Sequence, residues 1–326
     1  MRGKTPGLIP ESAGVTEIIT VKERTMRRVI IWFLFVTVAL SAATAFAQEG
    51  LTKLADNVYS YVGVKNASPA NSFAANAGIV VGRDGILVVD TLISAREAKR
   101  FISDIRKVSD KPIKYVVDTH YHLDHAFGNS EFARLGATII SQVNDRKNLA
   151  NKGEASLKNA KGYGLTDAEM AGTVITLPTL TFTDRMTIDL GGEIVELIYV
   201  APSHTEGSTL VYLPERKILF AGDVLFTDFH PFMGDGDVAG WVKTLDFILA
   251  LDVTTIIPGH GPISGKKDIA EMKAYIQTFD QKARELVAKS KDADFIAAEM
   301  KKVLPVKSQG EWMIAYNLKM KYLKER

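Results

Sequence analysis

Apolar and polar positions follow two different periods along this chain. Gly78-Ile79-Val80-Val81 and Ile86-Leu87-Val88-Val89 are unbroken apolar runs of strand length, separated by the turn residues Gly82-Arg83-Asp84-Gly85. Together they predict a β-hairpin. The next stretch, SAREAKRFISDIRK, switches to the helical period. Ala98, Phe101, Ile102 and Ile105 share one face, and Ser94 stands three residues before Glu97, the spacing of a capping box. A buried-type strand is predicted at Ile113–Val117. Residues 142–170 are polar, rich in Lys, Asn and Gly and weakly periodic, which predicts either a helical excursion or a flexible cover over a site. The β pattern returns over 177–223, with turns at 189–193 and 214–217. A helix is predicted over 237–249 with Trp241, Leu245, Ile248 and Leu249 inward, then a short strand over 254–257. Beyond Gly261 the pattern is helical to the end, with Ile269, Met272, Ile276, Phe279 and Leu286 at near-helical spacing. The order, β-rich then α, β, α, twice over, predicts an α/β chain of two similar halves, with no shorter repeat.

Composition narrows the chemistry. The 326 residues are 46 % hydrophobic, enough for a large core without disulfide staples. Cysteine is absent, so neither a thiolate nucleophile nor a sulfur metal ligand is available, and any catalysis must use nitrogen and oxygen. The formal net charge is +2; residues 1–47 hold six Lys/Arg against three Asp/Glu, leaving the remainder near neutral. No basic field is present to attract nucleic acid, which is excluded as a partner.

The N-terminal pattern is an address rather than a core element. Arg27-Arg28 precede an uncharged run from Val29 that closes in Ala45-Phe46-Ala47. This predicts a signal peptide cleaved after Ala47 and an exported, periplasmic or secreted protein with no stable membrane insertion after cleavage. An uncleaved anchor is the competing reading, because the run is just long enough to span a bilayer. Met26, directly before the arginines, is a second candidate start. The predicted organisation is an extension and leader at 1–47, a catalytic domain at 48–266 and a helical C-terminal extension at 267–326.

Candidate chemistry is concentrated in the histidines. Three of the six lie in Thr119-His120-Tyr121-His122-Leu123-Asp124-His125, directly after the predicted strand Ile113–Val117. Neighbouring residues in a turning loop point different ways, so His120 and His122 can converge while Asp124 and His125 serve a second point. Neutral imidazole and carboxylate suit zinc and other borderline divalent metals. His204 lies in Pro202-Ser203-His204-Thr205-Glu206-Gly207-Ser208, Asp223 at the end of the apolar run ILFAGD, and His260 in Pro258-Gly259-His260-Gly261. Every candidate ligand is thus expected at the C-terminal end of a strand, along one edge of the sheets. His230 is left over, in a segment over 226–237 whose Phe229, His230, Phe232 and Met233 are expected to wall a substrate pocket.

In these four motifs, in their order, and in the earlier Asn76, Gly85 and Asp90, the chain resembles the metallo-β-lactamase superfamily from about Val58 to Ile263. The resemblance implies an αββα four-layer sandwich with a helical C-terminal extension. It also implies two Zn²⁺ ions per chain, with iron or manganese as alternatives. His120, His122 and His204 would hold the first ion, Asp124, His125 and His260 the second, and Asp223 would bridge them. Asp90 would support the metal loop from behind. The implied reaction is attack of a metal-bridging hydroxide on the carbonyl of a small acyl substrate (ester, thioester, lactone or lactam), with Asp124 orienting the nucleophile. One departure matters. The best-known antibiotic-degrading members carry Cys where this chain has Asp223, and another lactamase branch uses Ser. An Asp there is similar to glyoxalase II and the lactonases, so true β-lactamase activity is an alternative rather than the first reading. A mononuclear iron dioxygenase of the persulfide type is the alternative from another class. The tail is expected to stabilise the fold or a homo-oligomer contact and to carry no catalytic residue.

Overall fold

The computed structural model describes Gly3 and residues 50–323, so the leader expected at 1–47 lies outside the described residues apart from Gly3. The chain divides into Met1–Glu49 and Gly50–Arg326, and only the second is described below.

Its first half builds a seven-stranded sheet in sequence order, β1 (Thr52–Ala55), β2 (Val58–Ser60), β3 (Gly78–Val81), β4 (Ile86–Val89), β5 (Ile113–Val117), β6 (Thr138–Gln142) and β7 (Leu180–Phe182). The first four strands pair antiparallel, and β4 to β7 pair parallel. The second half builds a five-stranded sheet from β8 (Arg185–Asp189), β9 (Ile194–Ile198), β10 (Leu210–Leu213), β11 (Ile218–Phe226) and β12 (Thr255–His260). It is antiparallel up to the parallel pair β11–β12.

The unbroken apolar runs have a simple cause: both faces of these strands are covered. Side chains alternate across a strand, so Leu87 and Val89 of β4 enter the core between the sheets with Val211 and Leu213 of β10. Ile86 and Val88 point the other way, against Ala98, Phe101 and Ile105 of helix α1 (Ala95–Val108). Ser94 caps α1 by accepting from the Glu97 N–H at 3.3 Å. On the far side Leu210 and Tyr212 pack under α6 (Val238–Ala250), α7 (Lys266–Val287) and α8 (Ala293–Lys301). The result is the expected α, β, β, α layering, one sheet from each half.

Between these come α2 (Leu123–Ala126), α3 (Asn129–Arg134), α4 (Val143–Lys158) and α5 (Asp167–Met170). The weakly periodic stretch 142–170 is therefore a helical excursion. The inward helix over 237–249 is α6, with Trp241, Leu245 and Ile248 buried and Leu249 half-buried. The tail is not helical throughout. Residues 302–312 cross the surface between α8 and α9 (Met313–Asn317), and Gln309 bridges to Phe229. Ile269, Ile276, Phe279, Ile296, Met300, Ile314 and Leu318 join the same core as β10, β11 and α6.

One strand end differs from expectation. Asp223 does not terminate its strand; β11 continues to Phe226, and its pairing with β12 slips around Gly222. Gly222 has φ +50°, and a Cβ there would sit 2.6 Å from Thr119 Oγ1. The irregularity lets the strand bend past the histidine-rich loop that carries Thr119 while turning Asp223 toward it.

Candidate metal centre

The parallel strands set the site. β5 ends three residues before His120, β12 ends in His260, and the turn after β9 carries His204. Asp223 comes from the irregular part of β11. The Asn76 side chain donates to the carbonyls of Pro258 (2.8 Å) and Gly261 (2.9 Å), fixing the turn that bears His260. Gly259 has no side chain for a reason of space: a Cβ would lie 1.9 Å from Asp223 Oδ1.

All seven residues singled out by the sequence meet here. One atom from each of His120, His122, His204 and Asp223 falls within a 4.8 Å group, and the same holds for Asp124, His125 and His260. The Asp223 carboxylate divides between them. Its Oδ2 faces His204 Nε2 at 3.3 Å and His120 Nε2 at 3.7 Å, and its Oδ1 faces His125 Nε2 at 3.1 Å and His260 Nε2 at 3.4 Å. Asp124 Oδ2 lies 3.3 Å from His260 Nε2.

The outer nitrogens decide what the inner ones can be. His204 Nδ1 lies 3.1 Å from the Phe232 carbonyl and His260 Nδ1 3.1 Å from the Phe73 carbonyl. A carbonyl oxygen only accepts, so both Nδ1 atoms carry the proton. His125 Nδ1 meets Asp90 Oδ2 at 2.9 Å, and His122 Nε2 meets Asp235 Oδ2 at 3.1 Å. The Thr119 hydroxyl donates to Asp90 at 2.8 Å, so it accepts from His120 Nδ1 at 3.1 Å. Every neutral ring then turns a bare lone pair inward. His204 Nε2 and His122 Nδ1 face each other at 2.9 Å, and His120 Nε2, His125 Nε2 and Asp223 Oδ1 are buried without any hydrogen-bond partner. Lone pairs at that separation repel unless a cation lies among them. The residues fit a divalent metal in both groups.

Charge favours the same occupant. Burial and the neighbouring His125 hold His120 well below the ordinary imidazole range, and burial outweighs Asp223 to bring His204 down to about 3. On the other side burial is overcome by carboxylates. Asp223 and Asp124 push His260 up to about 9, and Asp223, Asp124 and Asp90 hold His125 well above its usual value. The same positions that attract protons attract a metal, which must displace them.

A metallo-β-lactamase superfamily family model matches residues 71–260, more than half the chain. The chain belongs to the metallo-β-lactamase superfamily. Among curated relatives, a linear primary-alkylsulfatase of a Pseudomonas species is 28 % identical over 58 % of this chain, which spans only 42 % of that protein's length. A type 2 metallo-β-lactamase of Bacteroides fragilis is 25 % identical over 70 % of this chain and 86 % of its own. Among solved structures, a metallo-β-lactamase from Pontibacter korlensis has TM-score 0.56 at 21 % identity, covering 70 % of this chain and 98 % of that one; it is a likeness of fold. The superfamily is hydrolytic, and this member is by class a hydrolase with a metal-binding site.

Some of the site was not foreseen. Asp235, which orients His122, lies in the unremarkable loop Met233-Gly234-Asp235-Gly236. It also accepts from the Tyr121 hydroxyl at 2.6 Å, and Lys152 of α4 donates to that hydroxyl at 2.9 Å. The Phe73 and Phe232 carbonyls carry no sequence signal, because any residue supplies one. The segment 226–237 is also not the uniform pocket wall expected. Phe232 lies against His122 and His204, while Phe226 and Phe229 back His260. His230 joins neither metal group; it is buried with Nδ1 2.8 Å from the Tyr275 hydroxyl of α7, and Met233 is buried in the core under the helices. Successive side chains along this segment point to different sides, and α7 takes the inward ones.

Proposed function

We propose that the chain is a dinuclear zinc hydrolase acting on a small acyl substrate (ester, thioester, lactone or lactam) outside the cytoplasm after loss of its leader. The observation that carries this reading is the set of five imidazole lone pairs and two carboxylates converging with their outer nitrogens already committed. Divalent metal held by such a donor set would supply Lewis acidity, enough to polarise a carbonyl and to bring a bound water's acidity near neutral pH. His120, His122 and His204 would hold one ion, Asp124, His125 and His260 the other, and Asp223 would serve both.

The remaining work falls to side chains. Asp90, Thr119, Asp235 and the two carbonyls keep the rings in the one tautomer that presents a lone pair. Burial opposes ionisation of Asp124, but His125 and His260 hold it below the usual carboxylate range. It therefore stays ionised and can orient the attacking water by accepting a hydrogen bond on a carboxylate oxygen. Phe226, Phe229, Phe232 and Trp241 surround the rings of His260 and His204 and keep bulk water from their edges. Asp223, in place of a cysteine, leaves a lactam as one candidate among several. The alkylsulfatase relative adds a sulfate ester to those worth trying.

The test uses zinc-loaded protein from Gln48 onward. Metal is counted by mass spectrometry, and turnover is measured on nitrocefin, a homoserine lactone, a glutathione thioester, p-nitrophenyl acetate and an alkyl sulfate. Two zinc ions per chain and chelator-sensitive hydrolysis of one of these are expected. One metal per chain after loading, with oxygen uptake by an iron form, would replace this reading with the dioxygenase.

A further inference from the structure

Aromatic rings continue outward from the metal cluster in an unbroken series. The Phe232 ring stands 5.5 Å from that of His122. Tyr316 lies 5.8 Å beyond Phe232, and Trp312 5.8 Å beyond Tyr316 in an edge-to-face contact. Phe232 and Tyr316 are half-buried, and Trp312 is 55 % exposed. Large rings left partly open beside a reaction centre are a binding surface in search of an apolar group.

The inner end of this series is held rigidly. Asn317, buried, accepts from the Met233 N–H at 2.7 Å and donates to the Pro231 carbonyl at 2.8 Å, so the backbone on both sides of Phe232 is pinned. The Phe232 carbonyl is itself tied to His204. Tyr316 is the residue before Asn317, so the contact that fixes Phe232 also places Tyr316 next to it. Of the exposed large apolar residues on the tail, which include Phe295, Val303 and Val306, Trp312 is the one these ring contacts join to the cluster.

The geometry points to Tyr316 and Trp312, both on the C-terminal extension, as specificity-determining residues that hold a long apolar acyl substituent while its scissile carbonyl lies at the metal cluster. This rests on the hydrolytic reading above and deepens it. It also gives the tail a part in substrate choice, which its lack of histidine had argued against. A short acyl group would stop at Phe232 and ignore the outer rings; a long one would run along them.

Two measurements separate this inference from the reading it rests on. In the first, octanoate is titrated into the zinc-loaded chain from Gln48 onward while tryptophan emission is followed. Trp32 precedes Gln48, and Trp241 is buried beside His204, so acetate and the Trp312→Phe protein control for any response at the metal end and Trp312 reports the outer rings. A saturable change is expected with octanoate, none with acetate at the same concentration, and none in Trp312→Phe. In the second, p-nitrophenyl acetate and p-nitrophenyl octanoate are compared. Trp312→Ala and Tyr316→Ala should each lower kcat/KM for the octanoyl ester about tenfold, mainly through KM, with the acetyl ester and the metal content unchanged. Absence of an octanoate response, or equal losses on both esters, would overturn the assignment. If the wild type turned over neither ester, the hydrolytic reading would suffer while the emission titration still decided the role of Trp312.

Discussion

A buried imidazole can serve a metal or the core, and the acceptor on its outer nitrogen decides which. His122 and His230 make the contrast. Asp235 accepts a hydrogen bond from His122 Nε2–H and so presents Nδ1 to His204 and its neighbours. Asp235→Ala should therefore weaken zinc in the His120, His122 and His204 group about 10–100-fold, with the other group spared. Competition with a chromophoric chelator would measure this, and an unchanged affinity would mean that packing alone orients the ring. His230 instead meets the Tyr275 hydroxyl, and burial, then Lys307, holds it below the ordinary imidazole range. Below about pH 6.5 the unfolded chain takes up a proton that the native site resists, so this residue costs stability as pH falls. His230→Gln keeps a hydrogen-bonding group without the titration. It should lose less melting temperature than the wild type between pH 8 and pH 5.5 with metal content unchanged; equal losses would show that the native site accommodates the proton. At this scale all seven candidate ligands were legible, because their residue types and spacing carry the signal. Asp235, Phe73 and Phe232 were not, since an aspartate in a glycine loop or a backbone carbonyl has no distinctive neighbours along the chain.

Among the elements, the departures from expectation occur where a strand or loop is bent by something distant. β11 runs through Asp223 because Gly222 lets it irregularly pass Thr119, a residue about a hundred positions earlier. Gly222→Ala should combine left-handed backbone strain with a clash and lower metal occupancy in both groups, as the Asp223 carboxylate faces histidines of each. Gly192, at φ +100° in the turn between β8 and β9, meets nothing within 4 Å of an added Cβ. Gly192→Ala should thus cost only about 1 kcal/mol of strain and leave metal content untouched. Metal analysis and thermal unfolding of the pair would show whether space or backbone conformation matters at Gly222. The tail also acts through a contact remote in sequence. Asn317→Ala removes both hydrogen bonds around Phe232 and should cost about 1–3 kcal/mol, with a loss of zinc affinity at His204 that a purely peripheral helix would not produce. Helices α1, α6 and α7 were legible because a strong periodicity marks each apolar face. The irregular stretch 302–312 and the extent of β11 were not, because their shape is set by partners rather than by period.

Across the whole molecule, metal binding and folding should be coupled, because the candidate ligands come from four motifs spread over both halves and no unfolded chain gathers them. Zinc at 1,000 times its dissociation constant would add about 4 kcal/mol per site, so the melting temperature should fall sharply in EDTA and return on adding zinc. A transition that ignores both would mean the lone pairs are relieved some other way. The alternation of apolar runs and helical faces determined the layered α/β architecture, since burial on both faces leaves no polar positions in a central strand. The histidine and aspartate motifs likewise determined which side chains could meet a metal. Only the tertiary structure decided the rest: which nitrogen of each ring turns inward, which side chains of 226–237 face the site, and that the C-terminal extension sets the place of Phe232. Each of these depends on hydrogen bonds and packing between residues far apart in the chain, and local sequence exerts no force across that distance until the core has brought them together.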